Sequence, residues 1–196
     1  MRKIIRGDAP DWLKENWEKW GRKLKENRAK KNKFLFQWAT YQGIKVNQIL
    51  KPLLQEMTQA HCSYCDGYPF SMSKETIDHF RPKSKYPELA YQWENLFLCC
   101  DRCQYIKGEK FNKRMLKTDE ISYNFSDYFI INYKEGTILP NPIASLTNRQ
   151  RAAITIDLLQ LNDKTLCHTR IRELRNYRKR TQGIDINHYN SRFFLE

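Results

Sequence analysis

Two Cys-x-x-Cys pairs constrain this chain more than any other feature: "HCSYCDGYPF" contains Cys62 and Cys65, and "CCDRCQ" contains Cys100 and Cys103. A two-residue gap lets both thiolates of a pair face one ion, and two pairs complete a tetrahedral zinc shell with Zn–S bonds of about 2.3 Å. Four thiolates leave no open position, so this zinc is structural and any chemistry must come from other residues. The interval between the pairs, residues 66–99, is longer than an ordinary zinc ribbon, so a folded insert stands there. Cys99 is spaced poorly for a knuckle and in an alternating strand faces away from Cys100; it reads as a buried small hydrophobe, as does the isolated Cys167.

The polarity of the opening "MRKIIRGDAPDW" argues against a signal peptide, and no apolar run approaches the roughly 20 residues of a membrane span. The expectation is a cytoplasmic protein with reduced cysteines and no membrane association. With 35 Lys+Arg against 22 Asp+Glu, the net charge is +13, which favours a polyanionic partner, chiefly nucleic acid.

Neither repeats nor Gly/Ser linkers divide the 196 residues, so a single compact unit is expected, with three regions. Residues 1–60 form an N-terminal helical region, 61–111 a zinc-bound core, and 112–196 a hairpin and helical region packed on that core. Leu13, Trp17, Trp20 and Leu24 make one helical stripe, so the two tryptophans read as core rather than as base-stacking residues. Val46, Ile49, Leu50, Leu53, Leu54 and Met57 make a second stripe, which Pro52 is expected to kink or divide.

Residues 128–140 read as a hairpin around Lys-Glu-Gly. A helix capped by Thr147 or Asn148 follows, with Ala152, Ile156 and Leu159 on one face. In the last helix Leu166, Ile171, Leu174 and Tyr177 face inward, while Arg170, Arg172, Arg175, Arg178, Lys179 and Arg180 occupy the other faces.

Within the insert, "ETIDHF" is strand-like, "RPKSKYPELAYQ" is a basic loop, and Leu96–Cys99 is a second strand. A short helix is expected from an Asp101 cap to Gly108. Hydrolysing a phosphodiester needs a base for water and a cation for the developing charge. His79 is the natural base, because imidazole titrates near neutrality. Asp78 offers an oxygen donor suited to Mg²⁺. Arg81, Lys83, Lys85 and Lys107 are candidate phosphate-binding cations.

"DHFRPKS", "WENL" and "C-x-x-C-Q-x-x-K-G" together resemble the HNH endonucleases, ββα-metal nucleases with a stabilising zinc, and most closely the PtuB type of Septu and retron-associated anti-phage systems. The likeness continues through "MRKIIRG", "YFIINYKEGTILPNP" and "RAAITIDLLQLN". It implies an α+β fold, mainly helical, in a single domain around a zinc-stabilised ββα-metal core. It also implies endonuclease cleavage of DNA dependent on Mg²⁺ or Mn²⁺, and a hetero-oligomer with a PtuA-type ATPase subunit. No G-x-x-x-x-G-K-[ST] loop occurs here, so any ATP dependence lies in another chain.

The same resemblance makes Asp78 a metal ligand, with a backbone irregular enough to turn it and His79 toward one ion. It makes Asn95 the residue that ties the loop and orients His79. Gln104 departs from the pattern, standing where the family carries His or Asn; it ligates directly, ligates through water, or stands aside. RNA is the alternative substrate, and a nucleic-acid-binding module weakened through Gln104 is the alternative function.

Overall fold

The computed structural model describes residues 1–31, 36–68, 75–180 and 183–196; the part of the insert from 69 to 74 lies outside them. Helix α1 (Asp11–Lys31) begins directly after Pro10, whose carbonyl accepts from Leu13 and Lys14. Strands β1 (Thr40–Tyr41) and β2 (Ile44–Lys45) form a tight hairpin that leads into α2 (Val46–Thr58). In the insert, β3 (Glu75–His79) pairs antiparallel with β4 (Leu96–Cys100), and α3 (Asp101–Lys107) follows without a loop. Strands β5 (Phe129–Asn132) and β6 (Thr137–Pro140), then α4 (Leu146–Leu159) and α5 (Lys164–Arg178), complete the regular elements. The protein is thus a mixed helix and strand fold.

The β3–β4 hairpin is the middle layer, and residue alternation divides its apolar side chains between two cores. Ile77, Leu96 and Leu98 join Leu13 of α1 and Val46, Leu50 and Leu54 of α2. Phe97 and Cys99 face the other core, shared with the cysteine pairs, Leu116, Phe129, Ile138, Ala152, Leu159 and Phe194. Trp17, Trp20 and Leu24 are partly buried against the first core, in keeping with their stripe. Helix α1 crosses the loop so closely that a side chain at Gly21 would overlap the Glu88 carbonyl.

Several local expectations are corrected. Helix α2 runs unbroken through Pro52. Its N-terminal half is held to the first core by Val46 and Leu50, and its C-terminal half by Leu54. That packing outweighs the lost backbone donor. The cap of α3 is Cys100, whose sulfur accepts from the Cys103 amide, and Asp101 is the first helical residue. Ser145, two residues earlier than expected, caps α4 through the Asn148 amide.

Arg170 is not on the outer face of α5. It is fully buried, donating to the carbonyls of Gly136 and Leu161 at 2.9 and 2.6 Å. Those carbonyls lie at the β5–β6 turn and the α4–α5 junction, so the guanidinium fork joins two connections that would otherwise carry unsatisfied acceptors.

Candidate active site and metal centre

The Cys62–Cys65 pair occupies the turn after α2, where the Cys62 amide donates to the Gly67 carbonyl and the Asp66 amide to the Cys62 carbonyl. The Ser63 amide donates to Leu98 in β4, fastening this turn to the middle of the hairpin. Cys100 ends β4 and Cys103 lies one turn into α3, so the strand-to-helix junction forms the second knuckle. The four sulfurs lie within 4.8 Å of one another, and Cys65 and Cys100 are 3.8 Å apart. A sulfur tetrahedron with bonds of about 2.3 Å has edges of about 3.8 Å, so these residues fit a zinc ion. Cys99 is fully buried outside this group, with its thiol 3.2 Å from the Cys100 carbonyl.

The C-terminal segment braces the first knuckle. Arg192 pairs with Asp66 at 2.6 Å, both buried, while the Ser191 amide donates to the Asp66 carbonyl at 2.7 Å. No spacing rule connects residues 126 positions apart, and sequence reasoning passed over this pair.

Asp78 and His79 sit side by side on a regular strand: Asp78 is paired with Phe97 and His79 with Leu96. The expected backbone irregularity is absent, and the side chains leave the strand toward different neighbours, as alternation requires. The Asp78 Oδ2 accepts from the Tyr64 hydroxyl at 2.6 Å and pairs with the Lys107 ammonium at 2.9 Å. Burial pushes the Asp78 carboxyl above its ordinary range, while Lys107 and Tyr64 pull it back. Among the described residues, both polar contacts of this carboxylate fall on Oδ2, so Oδ1 is the oxygen that could meet a cation.

His79 packs on the opposite side, its ring stacked with Trp38 at 5.5 Å and met edge-on by Phe36 at 5.4 Å. Its Nε2 lies 2.9 Å from the Ala90 carbonyl. A carbonyl only accepts, so the proton is assigned to Nε2 and Nδ1 carries the free lone pair. The expectation that this imidazole titrates near neutrality is corrected: burial, reinforced by Lys83, holds it down at about 3, so it is neutral at physiological pH. Neither Trp38 nor Phe36 stood out in the sequence. Their two-residue spacing is that of a strand face, yet residues 36–39 form no strand, and the two rings meet the imidazole only through folding.

Asn95 makes three hydrogen bonds across the insert. Its Oδ1 accepts from the Arg81 amide at 2.7 Å, and its Nδ2 donates to the carbonyls of Arg81 and Leu89 at 3.1 and 3.0 Å. Asn95 thus clips the residues just after His79 to the residue just before Ala90. The carbonyl that receives the His79 proton is held in place by that clip.

Gln104 is half-buried on α3, with its amide nitrogen 3.4 Å from the Ile77 carbonyl, next to Asp78 in the chain. Lys107, expected to reach outward to phosphate, is instead fully buried and also donates to the His79 carbonyl at 2.7 Å. Helix α3 aims it at the Asp78 carboxylate, and a buried ammonium is retained only where such partners exist. Arg81 and Lys85 are exposed at the start of the basic loop, and Arg81 lies over the rings of Tyr86 and Phe111. Lys83 is partly buried with its ammonium 5.0 Å from the Phe36 ring. Burial lowers its pKa, opposed by Glu109 and Asp78.

The hairpin with its paired Asp and His, its Asn clip and its cysteine knuckles coincides with a family match: residues 62–110 fit the HNH endonuclease model. That segment is a quarter of the chain. Two curated relatives are similar to the chain over longer stretches, both described as Septu protein PtuB. The one from Bacillus thuringiensis is 38% identical over 66 residues, covering 33% of this chain and 26% of the relative. The one from Bacillus mycoides (strain KBAB4) is 34% identical over 127 residues, covering 46% of this chain and 43% of the relative. The chain is thus similar to HNH endonucleases over residues 62–110 and to these PtuB proteins, and its match spans less than half the length of the two. Among the described residues, no helix is long and apolar enough to cross a membrane.

Proposed function

We propose that this protein is a metal-dependent HNH endonuclease that hydrolyses DNA phosphodiesters as the effector of an anti-phage system. The observation that carries this reading is the setting of His79: its Nε2 is committed to the Ala90 carbonyl, which leaves Nδ1 as the proton acceptor, and the next residue back is Asp78, whose polar contacts among the described residues fall on Oδ2. A base of this kind takes a proton from water as the water oxygen attacks phosphorus and the bond to the leaving oxygen breaks.

Asp78 through Oδ1, and Gln104 through its amide oxygen, are the residues that would hold Mg²⁺ or Mn²⁺, since both offer hard oxygen donors. When bound, such an ion supplies charge neutralisation at the phosphorane and the leaving oxygen. Arg81 and Lys85, exposed beside the basic loop, take neighbouring phosphates, and Lys83 lies within electrostatic reach of both Asp78 and His79. Asn95 acts through the loop: it holds Ala90, and Ala90 holds the imidazole tautomer. The cysteine centre holds zinc and keeps the two strands and α3 in register. The net charge of +13 supports a nucleic-acid substrate. Likeness to PtuB proteins supports an ATPase partner of the PtuA type.

The test is nicking of supercoiled plasmid with Mg²⁺ or Mn²⁺, alone and with the ATPase subunit, using His79→Ala as control. The expected result is divalent-dependent cleavage that falls at least about 100-fold in the variant. Cleavage of structured RNA alone would move the substrate to RNA. Binding without cleavage under every condition would leave a nucleic-acid-binding module and sink the enzyme reading.

A further inference from the structure

Tyr64 sits in the middle of the first Cys-x-x-Cys knuckle, yet its hydroxyl reaches the carboxylate of Asp78 at 2.6 Å. The side chain is fully buried, with 2% of its surface exposed, and its ring stacks on Phe97, the β4 residue paired with Asp78. Its place is over-determined. Cys62 and Cys65 flank it, their sulfurs gathered with those of Cys100 and Cys103, and the Ser63 amide is fastened to Leu98.

We propose that Tyr64 is a positioning residue that couples the four-cysteine centre to the candidate catalytic centre: it pins Asp78 Oδ2 so that Oδ1 is presented to the divalent cation. The inference rests on the nuclease reading above. A carboxylate bound only by the Lys107 ammonium would be free to rotate and offer that cation either oxygen. A second donor from another direction removes this freedom, and the phenol provides it without adding charge. The hydroxyl donates to Oδ2, the same oxygen that the Lys107 ammonium reaches. The zinc knuckle therefore does more than stabilise the hairpin: it carries the donor that orders a metal ligand. Partners of this kind typically change metal affinity or activity by about 10–100-fold when removed.

Tyr64→Phe keeps the ring on Phe97 and removes only the hydroxyl. In the full chain, the expected result is one zinc per chain as in the parent, Mn²⁺ binding weakened at least about tenfold by electron paramagnetic resonance titration, and a matching fall in plasmid nicking. In an Asp78→Asn background the same substitution should change Mn²⁺ affinity less than twofold. Should Tyr64→Phe fail to fold, 3-fluorotyrosine at position 64 replaces it: its fluorine resonance should broaden when Mn²⁺ is added and stay sharp in the Asp78→Asn protein. Parent-like Mn²⁺ affinity in Tyr64→Phe, or a fluorine signal blind to Mn²⁺, overturns the inference while the nuclease reading stands. A parent protein that neither binds Mn²⁺ nor nicks plasmid overturns both.

Discussion

Lys107 and Asp78 form an ion pair inside the protein, Nζ to Oδ2 at 2.9 Å, with the lysine side chain fully buried and the carboxylate side chain 7% exposed. The same ammonium donates to the carbonyl of His79, so one cation braces both residues of the Asp-His pair, one by its side chain and the other by its backbone.

Removing that cation strands a buried carboxylate. Lys107→Met should destabilise the protein by about 3–5 kcal/mol in urea unfolding. Adding Asp78→Asn should restore a substantial part of the loss, because a neutral amide needs no counter-charge. Equal stability of Lys107→Met and the parent would show the pair to be energetically idle.

His79 makes stability depend on pH. The folded chain keeps the imidazole at about 3, whereas the unfolded chain titrates near 6.5. Between those values the unfolded state binds a proton that the folded state refuses, so stability falls as pH is lowered through this window and is flat above it. Asp78, shifted upward by burial, works in the opposite direction nearer its own range. His79→Gln should therefore flatten the decline between pH 6.5 and 4 in denaturant titrations. An identical slope in both proteins would refute the assignment.

Asn95→Ala deletes three hydrogen bonds of about 1 kcal/mol each, so a stability loss approaching 3 kcal/mol is expected. The more telling readout is nicking, which should drop further than the folded fraction does because the Ala90 carbonyl loses its anchor. Zinc content should stay at the parent level. Activity that merely tracks the folded fraction would reduce Asn95 to a loop brace.

Elemental analysis should find about one zinc per chain, with Cys62→Ser giving misfolded protein rather than a folded inactive one. Strong chelators should unfold the parent for the same reason. A soluble, folded, zinc-free protein would eliminate the metal centre.

Much of the central segment was legible in residue order because its signals are local. Two residues between cysteines set where the thiolates point, and the four sulfurs do gather. Alternation in "ETIDHF" and in the strand from Leu96 sets which side chains share a face, and the helix after Cys100 stops at Gly108, whose positive φ suits glycine. The stripe of Leu13, Trp17, Trp20 and Leu24 is legible for the same reason, since period alone decides which face of a helix is apolar.

What residue order could not decide is which distant group each polar side chain meets. Lys107 looks like a solvated cation at a helix end. Only the packing of α3 on the hairpin delivers it to a carboxylate 29 positions earlier and a carbonyl 28 positions earlier. Arg170 carries the same lesson in α5. Tyr64 reads as a spacer between two cysteines until the knuckle folds against β4 and brings its hydroxyl to Asp78. The sequence by itself determined the two cysteine pairs, the helical stripes and the order of elements in the central segment, because spacing and periodicity act over a few residues. The tertiary structure alone decided the partners of Asp78 and the orientation of His79, because desolvation forces buried polar groups to find whatever complement the fold brings within reach.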